Sequence, residues 1–176
     1  MTEYGELIAP ETVRFERTLP GPINLVWSYI VDAEKRSRWL CGGRTELRDG
    51  GLVEMHFHNA GLSSQEDIAP PEKYKDMPEH VRFSGTVTAC VPPKFLSHTW
   101  DFEGDSSEVT YELAECGENV VLTLTHRRLN SREEAVSVCG GWHTHLDILK
   151  DVLTGEEPKP FWTRHTHIED QYERRI

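Results

Sequence analysis

Residues spaced by three and four positions recur from Ala135 to Leu153, directly after a long stretch in which apolar residues alternate with period two. Ala135, Val138, Cys139, Trp142, Leu146, Leu149 and Leu153 fall on one face of a helix. Ser131 and Glu134 form an S-x-x-E capping box at its start and Gly155 supplies a stop, so the spacing predicts one amphipathic helix over 131–155. A helix this long must lay its apolar stripe on something of comparable size, and the preceding strands can supply only a sheet. Gly140 and Gly141 interrupt the stripe just before Trp142, at a cost of about 1 kcal/mol each against alanine, which implies that another backbone or a ligand comes close there.

The period-two segments fill most of the chain ahead of that helix. Val13, Phe15 and Arg17 alternate in a first strand, which Pro20-Gly21-Pro22 ends while opening a helix that carries Ile23, Val26, Trp27, Ile30 and Val31. Asp32 reads as the cap of a second short helix running to Trp39. Residues 44–48, the turn Asp49-Gly50-Gly51 and residues 52–58 predict a β-hairpin with Val53, Met55 and Phe57 facing inward. Residues 59–80, with Pro70, Pro71 and Pro78 among charges, are too long for a tight connection and read as a surface excursion able to act as a lid. A strand over 81–91 places Val81, Phe83, Gly85, Val87, Ala89 and Val91 on one side, and the next places Leu96, His98, Trp100 and Phe102 on one face. Val109, Tyr111 and Leu113, then Val120, Leu122, Leu124 and His126, complete the alternation. Strand, two helices, sequential strands and a long helix make an α+β order, and an antiparallel sheet gripping the final helix is the economical packing.

Charge and length remove several function classes. A formal net charge of -11 disfavours a phosphate-backbone partner, and Lys35, Arg36 and Arg38 are too local to change that, so no nucleic acid is expected. No apolar run of membrane-spanning length and no secretory signal are present, which predicts a cytoplasmic protein without a membrane span. Cys41, Cys90, Cys116 and Cys139 are widely spaced and read as reduced thiols. With no break in composition, residues 1–155 are expected to form a single domain, monomeric or homodimeric, followed by a tail over 156–176. Phe161 and Trp162 in that tail must either fold back or meet a partner, and Pro158 and Pro160 favour folding back.

Together these elements resemble the helix-grip fold of the START and Bet v 1 superfamily and, within it, proteins similar to the carboxy-terminal domain of the Hsp90 ATPase activator. The resemblance rests on Phe15-Glu16-Arg17-Thr18-Leu19 through Val26-Trp27 to Trp39, on the strands over 109–113 and 122–126, and on Gly141-Trp142 followed by Leu146 and Leu149. It covers about residues 13–154. It implies a curved antiparallel sheet of about six to seven strands wrapped around the long helix, with two short helices after the first strand and an internal cavity for apolar molecules. The eukaryotic activator's separate amino-terminal domain has no counterpart in this sequence, and residues 59–80 and 156–176 exceed the usual pattern.

The candidate cavity residues are Met55, Phe57, Phe83, His98, Trp100, Tyr111, His126, Val138, Gly141, Trp142 and His145. His98, Tyr111 and His126 share strand faces with large apolar residues and are candidates to orient a ligand or, beside a carboxylate or tyrosine, to move a proton; hydrogen-bonded core residues are the simpler reading. His56 and His58, two apart on a strand, are spaced to share an ion, whereas His143 and His145 on a helix are not, and His165 and His167 in the tail are again two apart; without H-E-x-x-H or a cysteine cluster, no metal or other cofactor is expected and these histidines should be solvated. No G-x-S-x-G, P-loop or dinucleotide motif occurs. The expected function is binding of an apolar or aromatic small molecule. A co-chaperone-like module meeting a chaperone or other protein, and a cyclase- or hydrolase-type enzyme using the same cavity, are the alternatives.

Overall fold

The computed structural model describes residues 3–176. Seven antiparallel strands form one curved sheet: β1 (Glu6–Ala9), β2 (Thr12–Pro20), β3 (Leu52–Phe57), β4 (Val81–Val91), β5 (Phe95–Phe102), β6 (Asp105–Cys116) and β7 (Asn119–Arg127), in the order β1-β2-β7-β6-β5-β4-β3. The strands β4 to β7 follow one another as hairpins, while β2 pairs with β7. Between β2 and β3 the chain must therefore cross the whole sheet, and α1 (Ile23–Val31) and α2 (Ala33–Ser37) make that crossing. Inward positions repeat every second residue: Val13, Phe15, Leu19, Val109, Tyr111, Leu113, Leu122 and Leu124 are all buried. The helix α3 (Arg132–Thr154) lies on this face and buries Ala135, Cys139, Trp142, Leu146 and Leu149, the predicted stripe. At its start the Ser131 hydroxyl accepts from the Glu134 N–H at 3.1 Å, and the Glu134 carboxylate reaches back to the Asn130 N–H. Gly155 ends it at φ 77°, in the left-handed region. Among the described residues no helix is long and apolar enough to cross a membrane.

Five details differ from the sequence reading, each for a physical reason. β1 is an unpredicted edge strand whose Leu7 and Ile8 are 43% and 48% exposed, so it carries no inward alternation to find. The α2 helix ends at Ser37 instead of Trp39, although Asp32 caps it as expected by accepting from the Lys35 N–H at 2.9 Å. Residues 44–48 form no strand, only isolated bridges from Gly42 to His56 and from Thr45 to Val53. The cause is Arg36, 3% exposed, which donates to the carbonyls of Cys41, Gly42, Gly43 and Glu54 at 2.7–3.1 Å and to the Thr45 hydroxyl at 2.8 Å. The Gly42 carbonyl shares this charge-assisted donor with the His56 N–H, and residues 44–46 keep two backbone bonds to β3, from the Glu54 N–H to the Arg44 carbonyl and from the Glu46 N–H to the Leu52 carbonyl, without closing a regular ladder. In β4 the pairing slips between Val87 and Ala89, and beyond the bulge Val91 faces solvent, 60% exposed. Finally, His143, His145 and His165 are buried, not solvated.

The stretch after α3 forms a further helix, α4 (Phe161–Glu173), packed along α3. Phe161 and Trp162 are 3% and 6% exposed, and Ile168 and Tyr172 are buried with them. Pro160 precedes α4 and offers no side-chain acceptor, so its first amides need help from elsewhere. Asp67 supplies it: its carboxylate accepts from the Trp162 N–H at 2.7 Å, from the Thr163 N–H at 2.9 Å and from the Thr163 hydroxyl at 2.8 Å. Residues 59–80 contain two 3-10 turns, over Asn59–Gly61 and Glu72–Tyr74. They are latched to the same region by Ser63 donating to the Pro158 carbonyl at 2.6 Å and by Lys73 and Tyr74 donating to the Glu169 carboxylate.

Candidate functional site

The β3–β4 register sets Phe57 opposite Val81 and Met55 opposite Phe83, and β5 adds Trp100 and Phe102 beside them. Alternation puts these aromatic residues on one face, where they meet as a cluster. The Phe57 and Phe83 rings stack at 5.6 Å and 7°, Trp100 stands edge-on to Phe83 at 5.1 Å, and Phe102 follows at 5.0 Å. Asn59, Ala60, Asp67, Ile68, Pro70, Met77, Pro78 and Glu79 from the excursion, together with Trp162 of α4, stand across from that cluster. Between the two walls lies a groove of about 500 Å³.

Few polar groups line it, and most are engaged. Asp67 caps α4, and Glu79 lies 2.9 Å from His58 Nε2. Asn59 Oδ1 is buried without a hydrogen-bond partner. A buried acceptor left in that state costs about 1–3 kcal/mol.

Of the sequence candidates, Phe57, Phe83 and Trp100 line the groove. Beneath it, Trp100 packs on Trp142 at 5.5 Å and on His126 at 5.6 Å. The indole Nε1–H of Trp142 donates to His126 Nδ1 at 3.0 Å. Indole is a donor only, so the His126 proton sits on Nε2 and is given to the Ser107 hydroxyl at 2.7 Å. His98 Nδ1 donates to the Thr99 carbonyl at 2.8 Å, with its ring stacked against Tyr111 at 5.8 Å. His145 Nδ1 donates to the Trp39 carbonyl at 2.8 Å, and its ring backs Phe57 at 6.0 Å. Burial lowers the His98 and His145 pKa values to about 4 and, with the charge of His98 adding, that of His126 to about 3. Burial likewise pushes the Tyr111 hydroxyl above its ordinary range. All three imidazoles are neutral at pH 7, and among the described residues none hydrogen-bonds to a carboxylate. Both His126 nitrogens are engaged, which leaves that ring no free site for proton transfer.

Met55 lies in the core, and Val138 packs against its edge. The two helix glycines part company. A Cβ on Gly140 would lie 3.2 Å from Glu169 Cβ and 3.4 Å from His165 Nε2, whereas one on Gly141 would meet nothing within 4 Å. The close approach anticipated at the pair is made by α4, at Gly140 alone. Ile68, Met77, the prolines and Trp162 escaped the sequence reading of the groove. The visible signal was an apolar Phe161-Trp162 pair in a charged tail and an excursion too long for its connection.

The family described as Activator of Hsp90 ATPase homolog 1-like protein matches residues 20–154. Among solved structures, the protein encoded by gene BPP1335 from Bordetella parapertussis is 40% identical with a TM-score of 0.81, the match covering 99% of this chain and 91% of that one. CalU16 from Micromonospora echinospora is 25% identical with a TM-score of 0.68, covering 93% of this chain and 86% of that one. EF2215 from Enterococcus faecalis, 20% identical with a TM-score of 0.65 over 95% and 86% of the two chains, shares the fold. No curated protein matches the chain. The family match stops at the end of α3 and so leaves out α4, which supplies one wall of the groove.

Proposed function

Starting from a chain that belongs to the Activator of Hsp90 ATPase homolog 1-like family, we propose a small-molecule binding protein that takes an apolar, aromatic ligand in the groove walled by β3–β5, residues 59–80 and α4. The observation that carries the reading is the aromatic floor of Phe57, Phe83, Trp100 and Phe102 facing Ile68, Met77 and Trp162 across about 500 Å³, a volume typical of sites for drug-sized molecules. Flat rings fit against such a floor by offset or edge contacts. In this reading Trp142, His126 and Ser107 position Trp100 from beneath, and His98, Tyr111 and His145 complete that packed layer.

The protein-interaction alternative called for an exposed apolar surface at Phe161 and Trp162, and both are buried against α3 and the excursion. The enzyme alternative rested on His98, Tyr111 and His126, which lie beneath the groove and not in its lining, with both imidazoles neutral and bonded to protein.

The test is fluorescence titration with anilinonaphthalene sulfonate, read through the probe and through tryptophan quenching. One-to-one binding is expected, weakened at least about tenfold by Ala60→Trp, which fills the groove, and by Ile68→Asp, which charges it. Affinity unchanged in both variants rejects the groove as the ligand site.

A further inference from the structure

We propose a divalent transition-metal site, of the kind zinc occupies, at the rim of the groove, built from His58, Glu79 and His80. One donor atom from each of these side chains lies within 4.8 Å of the others. His58 Nε2 and Glu79 Oε1 are already 2.9 Å apart, and the His58 and His80 rings lie face to face at 4.2 Å. Donors bound to one zinc ion stand about 3.3 Å apart, so small side-chain rotations complete the set. Two imidazoles and a carboxylate suit zinc and its neighbours in hardness and leave a fourth position open for water or another ligand.

The site is built by the sheet, not by chance proximity of mobile side chains. His58 follows the last residue of β3, and Glu79 and His80 precede the first residue of β4, while the Phe57–Val81 pairing holds these two ends side by side. His58 is also seated by the turn after it. Gly61 donates its N–H to the His58 carbonyl at 3.0 Å, and a Cβ at Gly61 would lie 2.5 Å from His58 Nδ1. The ring therefore occupies space that only glycine leaves free. His56, the partner that spacing along the strand suggested for His58, lies instead within the β3–β4 ladder opposite Arg82.

Glu79 is shared by this site and the groove lining, so an ion held here stands at the groove mouth. The inference does not depend on the groove being a ligand site, since its test reads metal alone.

The experiment is titration of the full chain with zinc at pH 7.5 against a chromogenic chelator, repeated for His58→Ala, Glu79→Gln and His80→Ala, with His56→Ala and His167→Ala as controls. One-to-one binding is expected, weakened at least about tenfold by each of the three ligand variants and left within about twofold by the controls. Thermal unfolding of the metal-free variants checks that each is folded; these side chains lie at the surface and the melts should coincide. Absence of one-to-one binding, ligand variants that bind as the parent does, or controls that weaken binding as much as the ligand variants overturn the site.

Discussion

Lowering the pH from 7.5 to 4.5 should unfold this protein through its histidines, before most carboxylates are protonated. His98 and His145 keep pKa values of about 4 in the folded chain, and His126 and His143 of about 3, in every case chiefly because burial penalises the imidazolium. In the unfolded chain each returns to about 6.5. A folded value below the unfolded one means that the unfolded chain takes up protons first, so the stabilisation is complete above about 6.5 and is lost as pH falls towards the folded values of 3–4. Each such group costs about 1.4 kcal/mol per pH unit within that window, and four together cost about 5 kcal/mol per unit. A domain stable by about 5–10 kcal/mol at neutral pH is then exhausted between about pH 5.5 and 4.5. Asp147 works in the opposite sense, since burial raises its folded pKa, and it softens the slope at the acid end. The assay is urea unfolding followed by tryptophan fluorescence and far-ultraviolet circular dichroism at half-unit steps of pH. His143→Gln, which keeps a group able to meet the Tyr172 hydroxyl, should reduce the slope by at most about a quarter, because the Asp147 carboxylate 3.7 Å from His143 Nε2 favours the imidazolium and limits this histidine's share. A stability constant within about 1 kcal/mol between pH 7 and 5.5 would refute the reasoning.

Two further outcomes follow from the packing of α3 and α4. Gly141→Ala should stabilise the protein by about 0.5–1 kcal/mol because its Cβ enters open space, whereas Gly140→Ala should forfeit that gain against Glu169, a contrast read from paired urea midpoints. Asp67→Ala should cost about 1–2 kcal/mol and raise amide exchange at Trp162 and Thr163 before it affects the sheet, as seen by hydrogen exchange.

What could be read in the sequence was local. The strands β4 to β7 show themselves because each alternates against the sheet's own period, and α3 because its stripe, capping box and terminal glycine all lie within one segment. What could not be read depended on distant partners. Residues 44–48 look like half a hairpin until the Arg36 guanidinium, brought in from α2, takes the carbonyls around them. The helix α4 is hidden twice over: its cap is Asp67, 95 residues away, and its buried face includes His165 and Glu169, which break the apolar period. The groove was half legible. Phe57, Phe83 and Trp100 lie on alternating strands, while Ile68 and Met77 lie on a segment without any period, and only the contact of that segment with α4 places them. Burial of the histidines had no signature either, because a histidine bonded to the Trp39 carbonyl and one facing water are the same letter.

The cap that Asp67 places on α4 also makes the groove depend on two segments far apart in the chain. During synthesis the sheet strands and α3 emerge before residues 161–173, and a chain folding from its amino-terminal end can pair its strands while Trp162 is still absent. Residues 59–80 then hold a carboxylate for a helix that does not yet exist, and the aromatic floor of Phe57, Phe83 and Trp100 stays open to solvent. Docking of α4 supplies the missing amides and the outer wall together, so the groove exists only where α4 is docked.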